Sequence, residues 1–117
     1  MTRVQIFGTP SCSDTRKAQR FFRERRVPVH FVDLKRHAAS KGELRHFVQR
    51  HGAEALIDRE SRRFHALGLR QASYGAERWL DILAEEPLLL RTPLVRAGND
   101  LSIGLAQDDW RRWLDRP

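Results

Sequence analysis

A chain of 117 residues with a formal net charge of +7 has room for one domain around a single core, and its ordinary apolar fraction sets disorder aside. No run approaches the ~18 apolar residues of a membrane span, and the opening MTRVQIFGTP is too short and too soon polar for a signal peptide. One cysteine, Cys12, allows no internal disulfide, so a cytoplasmic protein is expected.

Arg3 to Phe7 alternates as a short strand, closed by a Gly8-Thr9-Pro10 turn. From Ser13 to about Arg26, Ala18, Phe21 and Phe22 fall at helical spacing among charged residues, which predicts an amphipathic helix. Val27 to Val32 is β-branched and aromatic, a second strand with Pro28 at its start. Strand, helix, strand in this span is a βαβ unit with parallel strands. Ser40 is placed to cap another helix, with Glu43 completing a capping box and Gly52 stopping it. Ala53 to Gly75 reads as short helical pieces around an arginine-rich loop, and Ala76 to Glu86 as a helix ended by Pro87. Leu94–Arg96 and Leu101–Leu105 flank Ala97-Gly98-Asn99-Asp100, a four-residue hairpin loop. Gln107 or Asp108 opens a last helix with Trp110, Trp113 and Leu114 inward. The order is β-α-β, a helical insertion at about 40–86, then α-β-β-α: a single α/β domain over 1–117. It has the pattern of a thioredoxin-like, mixed four-stranded sheet flanked by helices.

Cys12 falls between the first strand and the mouth of the first helix. Unpaired N–H groups and the positive end of the helix dipole favour an anion there, and only the thiolate is a good nucleophile. With Cys12 as first helical residue, Arg16 stands one turn above it on the same face and Lys17 follows, both favouring the thiolate and an incoming oxyanion. Asp14 opposes them. The polar neighbours Ser11, Ser13, Asp14 and Thr15 argue against an inert buried cysteine.

The stretch Gly8-Thr9-Pro10-Ser11-Cys12-Ser13-Asp14-Thr15-Arg16-Lys17-Ala18 resembles the active-site loop of the arsenate reductase (ArsC)/Spx family, with its C-x-x-[CS]-R-K-A. Phe64-His65-Ala66-Leu67-Gly68-Leu69 is similar to that family's y-x-x-L-G-L element. Pro87-Leu88-Leu89-Leu90-Arg91-Thr92-Pro93-Leu94-Val95 is similar to its P-x-L-[IL]-x-R-P-[IL]-[VL] element. The resemblance implies a glutaredoxin-like fold, a redox-active Cys12 and a cis-proline at Pro93 facing it.

The chain departs from the family's patterns at four places. Thr15 replaces the second cysteine of the Spx-type C-x-x-C, so that disulfide switch is absent. The family enzymes bring three arginines onto their oxyanion. At those places stand Thr92, with Arg91 displaced by one; Asp58, with Arg59 beside it; and Ile103 or Gly104. Thr92-Pro93 instead resembles the Thr-Pro pair of thioredoxins, whose backbone receives an extended thiol substrate, and this suits a glutathione adduct or a cysteine-bearing peptide.

Two functions follow from the resemblance. The first is a monothiol oxidoreductase with catalytic Cys12 acting on an oxyanion or a glutathione mixed disulfide. Ser13, Thr15, Arg16, Arg59, Arg91, Thr92 and Pro93 would bind the substrate. No bound cofactor is implied; glutathione or another low-molecular-weight thiol serves as reductant, with a glutaredoxin as partner. The alternative is an Spx-like regulator that docks on RNA polymerase without a C-x-x-C switch. A monomer without membrane contact is expected in either case. The arginines are scattered with no aromatic-interleaved tract, so a solvated basic surface is expected over nucleic-acid binding. Arg59, Arg62 and Arg63 read equally as a solvated loop or an oxyanion clamp. The five histidines lack metal-ligand spacing, and Trp79, Trp110 and Trp113 read as core.

Overall fold

In the computed structural model, which describes residues 3–116, β1 (Val4–Gly8) buries Val4 and Ile6 completely on one face of a sheet. It is followed by α1 (Ser13–Glu24) and β2 (Val29–Asp33), which pairs with β1 in parallel from Val4↔Val29 to Gly8↔Asp33. β3 (Leu94–Ala97) and β4 (Asp100–Ile103) run antiparallel, β3 against β1 and β4 against β3. The sheet order is β2-β1-β3-β4. This is the thioredoxin-like α/β arrangement, a mixed four-stranded sheet flanked by helices.

α1 presents Ala18, Phe21 and Phe22, and α5 (Gln107–Asp115) presents Trp110, to a core with Val4, Ile6, Val95 and Ala97. Phe21 and Phe22 meet edge to face at 5.0 Å between centroids, and both rings lie 5.3 Å from Trp110. The buried indole N–H of Trp110 donates to Ser102 Oγ at 2.8 Å, so its polar edge is satisfied inside the core.

The ends of these elements differ from the sequence expectation for local reasons. α1 stops at Glu24 rather than Arg26, because Arg26 adopts a left-handed conformation with φ +58°. Its N–H bonds Arg23 O and the Val27 N–H bonds Phe22 O, both at 3.0 Å, which is a Schellman closure. β2 starts at Val29, after the proline. The hairpin loop has two residues, not four: Ala97 and Asp100 are themselves paired, leaving Gly98 and Asn99 at the turn. Gly98, at φ +62°, sits at the first central position, where a two-residue hairpin favours glycine. β4 ends at Ile103, since Gly104 bends away at φ +76°.

The chain divides into two compact units, one built from the described residues up to Asp33 and from Thr92 onward, the other Leu34–Arg91. In the second unit, α2 (Lys41–His51) is capped by Ser40, whose hydroxyl accepts the Glu43 N–H at 3.1 Å, and closes at Gly52 with φ +84°. α3 (Arg62–Ala66) takes a similar cap from Ser61. α4 (Ala76–Glu85) buries Trp79, Leu80 and Leu83. Short 3-10 turns at Glu54–Leu56, Leu69–Gln71 and Pro87–Leu89 fill the rest. Arg45 on α2 makes a bidentate bond to Glu77 on α4 at 3.0 and 2.9 Å. Among the described residues no helix is long and apolar enough to cross a membrane.

Candidate active site

The chain leaves β1 at Gly8 and turns so that the Cys12 N–H donates to Thr9 O at 3.1 Å. Gly8 is therefore the last strand residue rather than part of the turn. Its identity has a steric cause: a Cβ there would lie 2.4 Å from Thr15 Oγ1 and 2.6 Å from Thr15 Cγ2. The missing side chain makes the space into which Thr15 packs, fully buried.

Cys12 is half-buried and occupies the N-cap of α1, not the first helical position; helical geometry begins at Ser13. The difference changes the role of Arg16. Its N–H bonds Cys12 O at 3.1 Å, but its guanidinium donates to Pro10 O at 2.8 Å. The contact of this arginine is with the loop, not with the sulfur.

The residues gathered at the sulfur are threonines. Thr92 Oγ1 donates to Cys12 Sγ at 3.1 Å, and the thiol in turn faces Thr92 O at 3.8 Å. Thr92 is joined to Pro93 by a cis peptide bond, and Pro93 O is held by the Gly104 N–H at 2.8 Å. Thr15 Oγ1 is buried and has no partner at strict hydrogen-bond geometry, yet it lies close enough to the sulfur to favour its anion. Burial of the sulfur is the largest single influence on its pKa and pushes it up. The hydroxyls of Thr15 and Thr92, with the backbone N–H groups of Thr15 and Asp14, together outweigh it, and the net direction is down.

Of the other residues singled out from sequence, Ser13 is exposed at the first turn of α1 and Pro93 is buried. Arg59 and Arg91 belong to the Leu34–Arg91 unit. Arg59 is exposed, 3.5 Å from Glu54 and with its guanidinium 5.5 Å from the Phe64 ring centroid. Arg91 is exposed, and its N–H bonds Leu56 O at 2.8 Å. Arg63 is committed to Glu86 at 2.7 Å. Gly8 was not a candidate from sequence; a glycine ending the strand directly before the cysteine loop was the available signal. Among the described residues no cluster of His, Cys, Asp or Glu is arranged to hold a metal.

A half-buried thiol at a helix entry faces a cis-proline loop on this thioredoxin-like sheet. The chain belongs to the ArsC family, which it matches over residues 7–113. It is 28% identical over 115 residues to the global transcriptional regulator Spx 1 of Lactococcus lactis, covering 97% of this chain and 90% of that one. Among solved structures it aligns with the YffB protein at a TM-score of 0.84, with 20% identity, covering 93% of this chain and 96% of that one. It aligns with an arsenate reductase from Vibrio cholerae at 0.78, with 18% identity and 94% of each chain covered. At these identities the structural likeness carries the fold, and the names of the relatives divide between reductase and regulator.

Proposed function

We propose that this chain is a monothiol oxidoreductase in which the Cys12 thiolate attacks a glutathione mixed disulfide. The observation that carries the reading is the hydroxyl-lined environment of the sulfur: Thr92 Oγ1 at 3.1 Å and the buried Thr15 hydroxyl both favour the anion. In the reaction, the Cys12 thiolate attacks the glutathione sulfur of the mixed disulfide. A Cys12–glutathione disulfide forms, and the substrate leaves as a thiolate that takes a proton from solvent. A second glutathione thiolate attacks the glutathione sulfur of that adduct, releasing glutathione disulfide and returning Cys12 to the thiolate. The chain has no other cysteine, so the resolving thiol is external.

The backbone of Thr92 and Pro93 and the N–H groups at Ser13 and Thr15 would hold the incoming thiol substrate, with Arg16 as a cationic contact for its carboxylates. Replacement of the family's arginine by Thr92 before the cis-proline favours a thiol substrate over arsenate. A glutaredoxin could serve as the second reductant. The test is turnover of a glutathionylated cysteine peptide with glutathione, arsenate assayed in parallel. Wild type should release the peptide thiol catalytically and Cys12→Ser should not; activity on arsenate alone would replace mixed disulfide by oxyanion as the substrate.

A second reading rests on the Spx name of the curated relatives: a regulator that binds RNA polymerase through a redox-derived fold. Retention on purified polymerase that survives Cys12→Ser, with no turnover of the mixed disulfide, would favour it.

A further inference from the structure

The cations of this chain are unevenly paired. On α5, Arg111 and Arg112 bond Asp108 and Asp109 one turn away, and Arg116 bonds Asp100 at 2.9 Å. On α1 and its cap, Lys17, Arg20 and Arg25 are exposed and have no ion pair among the described residues, and one N–H of the Arg25 guanidinium donates to Phe21 O at 3.0 Å, leaving its others for a partner. All three line a hollow of about 510 Å3 shared with Leu105 and Arg111, which meets four cationic side chains with one carboxylate, Glu24. A second hollow of about 530 Å3 shares Arg25 and Arg111 and adds the apolar Val27 and Leu114. The two hollows share Arg25 and Arg111 and together make a groove between α1 and α5, lined by the cations Lys17, Arg20, Arg25 and Arg111 and by the apolar Val27, Leu105 and Leu114.

Leu105, one of the lining residues, is a large apolar side chain that is 42% exposed. The aromatic ring in the groove, Phe21, is only 4% exposed and is covered by the Arg25 guanidinium at 3.6 Å from its centroid, with Arg111 at 5.9 Å. That ring offers no stacking plane to a base, as a single-stranded nucleic-acid groove would. Glu24 in one hollow and Asp115 in the other oppose a continuous phosphate backbone. A polypeptide can instead place its carboxylates on the cations, keep them clear of Glu24, and lay an apolar side chain on Leu105.

We propose that the α1–α5 groove docks an acidic amphipathic segment of a protein partner, its carboxylates on Lys17, Arg20 and Arg25 and an apolar side chain over Leu105. The surface is independent of the thiol chemistry, so binding is measured on the full chain carrying Cys12→Ser. The probe is a fluorescent helical peptide with glutamate on one face and leucine on the other; poly-glutamate and a DNA duplex are the competitors. The peptide should bind, poly-glutamate more weakly and the duplex more weakly still. Arg20→Glu should weaken the peptide by about tenfold, and Leu105→Ser should weaken it while leaving poly-glutamate unchanged. Amide resonances should shift at 17–25 and 105–111. Circular dichroism should show both variants folded, as expected for exposed positions. Absence of binding, binding insensitive to both substitutions, or tighter binding of the duplex would each overturn the proposal, the last making the groove a nucleic-acid surface.

Discussion

Thr92 and Cys12, eighty residues apart in sequence, meet through a hydrogen bond of 3.1 Å from the threonine hydroxyl to the sulfur. The pairing works because β1 and β3 are adjacent strands: the loop leaving one and the cis-proline segment entering the other lie together. A hydroxyl donor at this position stabilises a thiolate more than a thiol, since the anion is the better acceptor.

Removing either hydroxyl should therefore raise the thiol pKa. Thr92→Val and Thr15→Val each keep volume while deleting a donor, and both should shift the pH dependence of Cys12 alkylation upward. The linkage has a fixed sign. The native thiol has the lower pKa, so the unfolded state binds more protons between the native and unfolded values, and stability rises with pH across that interval. The gain is complete above the unfolded thiol's pKa and is lost as pH falls through the native one. Denaturant titrations across this range should show the rise in wild type and its absence in Cys12→Ser.

Gly8→Ala should disturb the same site from behind. The new Cβ collides with the buried Thr15 side chain, which must shift to admit it. Overpacking of this kind costs about 1–3 kcal/mol. The alkylation pKa should rise along with the loss of stability, because Thr15 is driven from the sulfur. A stability loss with an unchanged thiol pKa would show that Thr15 contributes nothing to thiolate formation.

Arg26→Gly should stabilise the fold. Arg26 holds φ +58° in the Schellman closure of α1, a conformation that costs a non-glycine residue about 1–2 kcal/mol. Part of that gain is offset by the greater freedom of glycine in the unfolded chain. A net increase of up to about 1 kcal/mol is expected in denaturant unfolding.

Ser102→Ala should destabilise by about 1–3 kcal/mol, because it strands the buried Trp110 N–H that Ser102 accepts at 2.8 Å. The same measurement on Ser40→Ala, which removes the cap of α2, should give about 1 kcal/mol.

Much of the fold was legible because local signals agreed with one another. Apolar spacing placed α1 and α5, the Ser40–Glu43 pair and Gly52 bounded α2, and Gly98 with Asn99 marked the hairpin. The misplaced boundaries came from cooperative geometry: Ala97 and Asp100 read as loop because only strand pairing makes them partners. At the site, Cys12 stood out by position, and Thr92-Pro93 by its resemblance to a known loop. The direction of the Arg16 side chain was not legible because composition gives charge but not direction, and its guanidinium donates to Pro10 O. Gly8 escaped notice because its purpose lies in Thr15, seven residues on, and is visible only once the helix is folded against the strand.

The most direct test of the central claim is the pH dependence of Cys12 alkylation in the intact chain. The account predicts an inflection below the ~8.5 of a free cysteine, moved upward by Thr92→Val. An inflection at or above the free value, unmoved by that substitution, would contradict it and leave Cys12 a thiol without activation.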